Sequence, residues 1–257
     1  MTRSIFMRLT AILLLFTLFL ACAAGCADDK EPISFPEAGL AGHSFKSENG
    51  TQLGYLLYTP KNRTEQMPLI VYLHEGGGRG NEPTLLLQGD GFPQYLEQGE
   101  LGDIPAFVLI PQLAQSQTGW DSVKDAVMAL VDKVCNDYAI DTTRVGLTGH
   151  GMGGSGTWSL AIAYPNRFSR IAPLSGTVKK TSAKIDALSA MPVRAFIGTA
   201  DTVMSPDDTC SFAEALRQKN EAVTLTSLEG GKHFDLPSLV YLNAEYDLIN
   251  WLIAAND

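Results

Sequence analysis

A glycine-packed turn, an aspartate and a histidine, met in that order along the chain, have the makings of an acyl-transfer site. The turn is RVGLTGHGMGGSGTW, residues 144–158. Gly149 and Gly153 occupy the outer positions of G-x-S-x-G, a strand–turn–helix that lifts a nucleophilic serine to the top of a sheet. At the central position stands Gly151, which offers no side chain. Asp201 ends the apolar run VRAFIGTAD, and His233 follows EGGK. In a triad the acid orients the imidazole, and the imidazole takes the proton of the attacking group. Acid and base are therefore expected at Asp201 and His233, with Gly151 at a nucleophile position that lacks its nucleophile.

Other uses of the turn are open at this stage. Gly149, Gly151 and Gly154 also satisfy G-x-G-x-x-G, which cradles a dinucleotide when it opens the first βαβ unit and an acidic residue follows about twenty positions on. Here two apolar runs precede it, and FSRIAPLSGT has no acid. Ser155 is the nearest hydroxyl, but one helical turn, about 5–6 Å, separates it from the elbow. A water above Gly151, activated by His233, would give direct hydrolysis. Loss of the nucleophile costs a comparable triad about 10⁶-fold in turnover, roughly 8 kcal/mol of barrier, so impaired chemistry is the leading expectation. Glycine in particular suits the turn, because the elbow holds its central residue in a conformation that a Cβ resists.

The elements that must position these residues alternate. TQLGYLLYTP (51–60), PLIVYLH (68–74), AFVLIPQ (106–112), RVGLTG (144–149), RIAPLSG, VRAFIGTAD and AVTLTSLEGG are expected strands. Continuous apolar runs such as PLIVYLH fit strands buried on both faces. WDSVKDAVMALVDKVCNDY has helical spacing, capped by Asp121 or Ser122. GTWSLAIAY continues a helix to Pro165, Asp207 and Asp208 sit in the first turn of another, and LVYLNAEYDLINWLIAA closes the chain as one helix. The pattern predicts an α/β protein with a mainly parallel central sheet and helices on both faces. In such sheets chemistry gathers at the carboxyl ends of the strands.

Together the stretches PLIVYLHEGGGRG, LLLQGDGFPQYLEQGEL, FVLIPQ, RVGLTGHGMGGSGTW, YPNRFSRIAPLSG, FIGTADTVMSP and GGKHFD resemble the secreted carboxylesterase and predicted-peptidase branch of the α/β-hydrolases, which is itself similar to feruloyl esterases and polyester depolymerases. The resemblance spans about residues 55–252. It implies an α/β-hydrolase fold, an ester, glycan-ester or peptide ligand, no cofactor, and oxyanion donors at the backbone N–H groups of Gly76 and Met152. The chain departs from that family at Gly151 and at Glu75, where a glycine follows the histidine in the family. A carboxylate at position 75 would repel a developing oxyanion. Glu75 and Trp120 are candidate ligand-binding residues, with Trp120 equally suited to core packing. His74 is expected to orient the HEGGG loop and Arg79 to bond neighbouring carbonyls or an acid, with a substrate carboxylate as the alternative, and the histidines show no metal-ligand spacing.

The first 26 residues differ in kind. Arg3 and Arg8 precede the apolar run LTAILLLFTLFLACAAGC, as in a bacterial export signal. Cys26 is the expected lipidation site, with Cys22 as the weaker alternative. Residues 27–38 read as a tether and 39–257 as the hydrolase domain. The protein is thus expected to be exported, as a lipoprotein on the periplasmic or outer cell surface or as a secreted protein, and to meet membrane only through its lipid. The formal net charge is −9, and loss of Arg3 and Arg8 makes it two units more negative. A surface this acidic disfavours nucleic acid. Cys135 and Cys210 either pair or stay free, and their spacing does not decide which.

Overall fold

The computed structural model describes residues 37–89 and 91–255. The expected signal, Cys22, Cys26 and the expected tether as far as residue 36 lie outside the described residues. Eight strands form one sheet: β1 (Gly39–Lys46), β2 (Gln52–Thr59), β3 (Leu69–Leu73), β4 (Phe107–Gln112), β5 (Val145–His150), β6 (Arg170–Leu174), β7 (Val193–Gly198) and β8 (Val223–Leu228). Their order is β1-β2-β4-β3-β5-β6-β7-β8. β1 pairs with β2 and β2 with β4 antiparallel, and every other neighbour is parallel.

The helices are α1 (Leu86–Gly89), α2 (Gly91–Glu97), α3 (Lys124–Asp137), α4 (Met152–Ala163), α5 (Ser182–Ala187), α6 (Asp207–Arg217), α7 (Leu236–Tyr241) and α8 (Leu248–Ile253). Side chains alternate across β3, so Leu69, Val71 and Leu73 face one core while Ile70 and Tyr72 face the other. The first core is closed by residues of α3, α4, α5 and α6, among them Val127, Trp158, Ile185 and Phe212. The second is closed by Leu86, Phe92, Val240 and Leu252 from α1, α2, α7 and α8. Burying each such side chain stabilises the fold by roughly 1.5–3 kcal/mol. Both faces covered explains why β3, β4, β5 and β6 are buried along their whole length.

The chain order reverses at β3, which lies between β4 and β5. Such a reversal, at the carboxyl ends of the strands, is the place where ligands bind in open sheets of this kind. His74 and His150–Gly151 follow or end the two strands that flank it. The parallel strands β6, β7 and β8 lead to Ser175, Asp201 and His233 on the same edge.

Three expectations need correction. β1 was not foreseen, because residues 39–46 lie on the sheet's edge with only partial burial and no apolar run. The closing helix is two helices: the Asn243 side chain accepts from Glu245 N–H at 2.9 Å, and Asp247 takes a left-handed conformation with φ 43°. Turn chemistry at those two residues overrides the apolar periodicity around them. Neither Asp121 nor Ser122 caps α3, since a 3₁₀ turn over Trp120–Val123 leads into it and Val123 holds the cap position.

Candidate active site

The glycine turn is built for close approach of main chains. A Cβ on Gly149 would lie 2.6 Å from the carbonyl oxygens of Leu73 and Gly153, and one on Gly153 would fall inside the Leu73 carbonyl. These two glycines let α4 begin directly against β3. Gly151 joins β5 to α4 with φ 57° and ψ −116°, a conformation that residues with a Cβ adopt only under strain. Its N–H donates to the Leu174 carbonyl at 3.0 Å, which ties the turn to β6. The glycines of the motif thus have packing and conformational reasons without a phosphate to cradle.

Asp201 and His233 come together from loops after β7 and β8. Nδ1 of His233 donates to Oδ2 of Asp201 at 2.8 Å, and both side chains are buried. The other carboxylate oxygen accepts from the N–H groups of Val203 at 2.8 Å and Met204 at 2.9 Å. Burial pushes this carboxyl up, but the Met204 N–H, the His233 imidazole and the Val203 N–H outweigh it and hold the group below its usual value. With Nδ1 committed as a donor to a carboxylate, neutral His233 carries its lone pair on Nε2. That atom faces Gly151: a Cβ built there would lie 2.9 Å from Nε2 and 3.3 Å from Cβ of Glu75. The geometry is that of a general base aimed at an elbow position, drawn in tightly around a glycine.

The loop after β3 forms the other wall. His74 is fully buried; its Nδ1 donates to the Glu75 carbonyl at 2.7 Å and its Nε2 accepts from Leu113 N–H at 3.0 Å. Burial pushes its imidazole down to about 4, so it is neutral. Oε1 of Glu75 accepts from Gly77 N–H at 2.6 Å. Arg79 donates to the carbonyls of Gly76 and Gln117, both at 3.1 Å. Met152 is the first residue of α4, and its N–H has no partner within the helix.

Trp120 is 1% exposed and donates its indole N–H to the His74 carbonyl at 3.0 Å. It belongs to the core and braces the loop, so it does not stack on a ligand. Oγ of Ser155 accepts from Thr177 N–H at 2.9 Å, turned toward the loop after β6. Cys135 and Cys210 are free thiols. Among the described residues no group of three or more His, Cys, Asp or Glu side chains could hold a metal, and no helix is long and apolar enough to cross a membrane.

His150 has a role that sequence reasoning missed. Its Nε2 lies 2.9 Å from the main-chain carbonyl of His233, and the two rings stand 4.5 Å apart. Burial, reinforced by the neighbouring His233, pushes its imidazole down to about 4. A neutral ring that donates to this carbonyl fixes the turn carrying the base. Its place beside the elbow was the only available signal.

A mainly parallel sheet covered by helices on both faces, with a buried acid–histidine pair aimed at the turn after β5, defines an α/β-hydrolase fold. Solved structures agree on the fold. The chain superposes on a thermostable esterase at 26% identity with a TM-score of 0.70, covering 83% of this chain and 62% of that one. An acetyl xylan esterase from Aspergillus awamori, at 15% identity, gives 0.64 over 84% of this chain and 99% of that one. A feruloyl esterase module from Clostridium thermocellum complexed with sinapinate, at 17%, gives 0.62 over 82% and 89%. A model of the dienelactone hydrolase family matches residues 95–236, more than half of the chain, and the chain belongs to that family.

Two curated relatives are esterases. A bifunctional acetylxylan esterase/xylanase of Neocallimastix patriciarum is 28% identical over 183 residues, 69% of this chain and 26% of that protein. Acetylxylan esterase A of Emericella nidulans is 28% identical over 134 residues, 48% of this chain and 41% of that protein. The chain therefore spans between a quarter and about two fifths of the length of these relatives.

Proposed function

We propose that this member of an esterase-like family is an exported ligand-binding protein whose hydrolytic activity is impaired because Gly151 occupies the nucleophile position. The observation that carries this reading is the backbone at Gly151, with Nε2 of His233 directed at the place where a side chain would begin. Ser155, the nearest serine along the chain, is engaged with Thr177. The relatives support a small ester or a glycan ester as the ligand, and a peptide rests on the sequence resemblance alone. Phe234, 71% exposed, and Val203, 57% exposed, are the most exposed of the large apolar side chains among the described residues. They sit on the same loops as His233 and Asp201, and the Phe234 ring stands edge-on to His233 at 5.0 Å. An apolar rim beside buried polar groups is how small-ligand sites are commonly built. Lipid attachment at Cys26 is part of the proposal and rests on the N-terminal sequence alone.

A second reading is favoured by the acid–base pair itself. Asp201 and His233 retain the geometry of a working dyad, and His233 could activate a water for direct ester hydrolysis. Hydrolysis of p-nitrophenyl acetate and butyrate separates the two. The expected result is no turnover above buffer by the unaltered protein, turnover gained in Gly151→Ser, and its loss in Gly151→Ser/His233→Ala. Turnover by the unaltered protein that disappears with His233→Ala would overturn the impaired reading in favour of the second.

A further inference from the structure

The two departures at positions 75 and 151 meet in space. A Cβ at residue 151 enters a gap with Nε2 of His233 at 2.9 Å on one side and Cβ of Glu75 at 3.3 Å on the other. Real Cβ atoms essentially never approach another heavy atom within 3.0 Å, and 3.3 Å already requires the neighbour to give way. One wall must move if residue 151 gains a side chain.

Neither wall is free to move. His233 is held by Asp201 through Nδ1 and by His150 through its own carbonyl. Withdrawing it would strand a buried carboxylate. Glu75 is held more closely still. Its carbonyl accepts from Nδ1 of His74 at 2.7 Å and from Gly78 N–H at 3.1 Å. The preceding carbonyl, of His74, accepts from the Trp120 indole. With both flanking carbonyls fixed, the direction of the Glu75 Cβ is fixed too. Its carboxylate then folds back onto the N–H of Gly77, next to the candidate oxyanion donor Gly76. The loop that would receive a developing negative charge already holds one.

We propose that Glu75 is a second determinant of this site, coupled to residue 151: its side chain is accommodated beside a glycine, and it slows, without abolishing, the reaction of a serine placed at 151. This rests on the reading of Gly151 as the nucleophile position. Two effects act together. The Cβ of Glu75 crowds the introduced side chain against His233, and the carboxylate opposes oxyanion charge.

The test is a double-variant cycle with two readouts. Melting temperatures are measured for the unaltered protein, Gly151→Ser, Glu75→Gly and Glu75→Gly/Gly151→Ser. The loss caused by Gly151→Ser is expected to shrink by at least half when position 75 is glycine. The second readout is covalent labelling of the introduced serine by an alkyl fluorophosphonate, with fluoride leaving, located by peptide mass spectrometry. The double variant is expected to label at least tenfold faster than Gly151→Ser. Glu75→Gln/Gly151→Ser keeps the Cβ and removes the charge, so it should fall between, and it serves for the charge effect if Glu75→Gly loosens the loop. Equal melting losses in the two backgrounds, or labelling rates that do not differ, overturn the proposal. If no variant labels at all, the nucleophile-position reading of Gly151 fails, and the melting cycle alone decides whether residues 75 and 151 are coupled.

Discussion

The Asp201–His233 pair and the glycine turn at 151 are held in place by different means. Asp201 and His233 lie on loops, yet each polar atom of the Asp201 carboxylate has a partner, and the turn bearing His233 is braced by His150. The turn at Gly151 rests on buried elements, β3, β5 and α4, and there position 151 carries no side chain and Glu75 places a carboxylate in the loop after β3. The difference teaches that the two halves answer to different physical demands. A buried carboxylate and imidazole must keep each other, because loss of either leaves an unsatisfied polar group. A serine at a strained turn has no such structural tie, and glycine relieves the strain.

The sharpest attempt to break this comparison is Gly153→Ala. Its Cβ would overlap the Leu73 carbonyl, and neither main chain can yield, so stability should fall by at least about 3 kcal/mol. A melting temperature close to the unaltered protein would show that the elbow scaffold is looser than its packing implies.

Acid titration tests the histidines that frame both halves. His74 and His150, with values pushed down to about 4 by burial, remain neutral in the fold where the unfolded chain, near 6.5, takes up protons. Stability from each is fully present above about pH 6.5 and declines as pH falls toward 4, by about 3 kcal/mol. Asp201, held below its usual value, adds a loss only at lower pH, as the medium falls through its folded value. Urea midpoints at pH 7, 5.5 and 4 should therefore fall from 6.5 downward, and less steeply in His150→Gln. An unchanged slope would remove His150 from the account.

Asp201→Ala asks whether the retained pair is structural. It leaves Nδ1 of His233 and the N–H groups of Val203 and Met204 without their carboxylate, and a loss of about 2 kcal/mol is expected in chemical denaturation. A neutral result would mean that the pair persists for its chemistry and would favour the water-activated reading.

The smallest effect is expected at Ser155. Ser155→Ala removes the bond to Thr177 N–H and should cost about 1 kcal/mol, with ligand binding and any turnover of Gly151→Ser unchanged. A loss of that turnover would make Ser155 part of the reacting centre.

Much of this architecture was legible along the chain because burial on both faces writes continuous apolar runs. β3, β4 and β5 announce themselves that way, whereas β1, an edge strand with alternating exposure, does not. The order of Gly151, Asp201 and His233 was legible because the turns around them carry glycine and proline punctuation. The bracing role of His150 was not, since its partner is a main-chain carbonyl 83 residues away. Trp120 read equally well as core or platform, and its burial and its bond to the His74 carbonyl decide for the core.

By itself the sequence determined the layered α/β class, the glycine at 151 and the chain order of Gly151, Asp201 and His233, because periodicity, glycine and residue order are local properties. Only the tertiary structure decided that residues 75, 151 and 233 close on one another within a few ångströms. They lie on loops after three different strands, and their separation depends on where the carboxyl ends of those strands stand in the sheet.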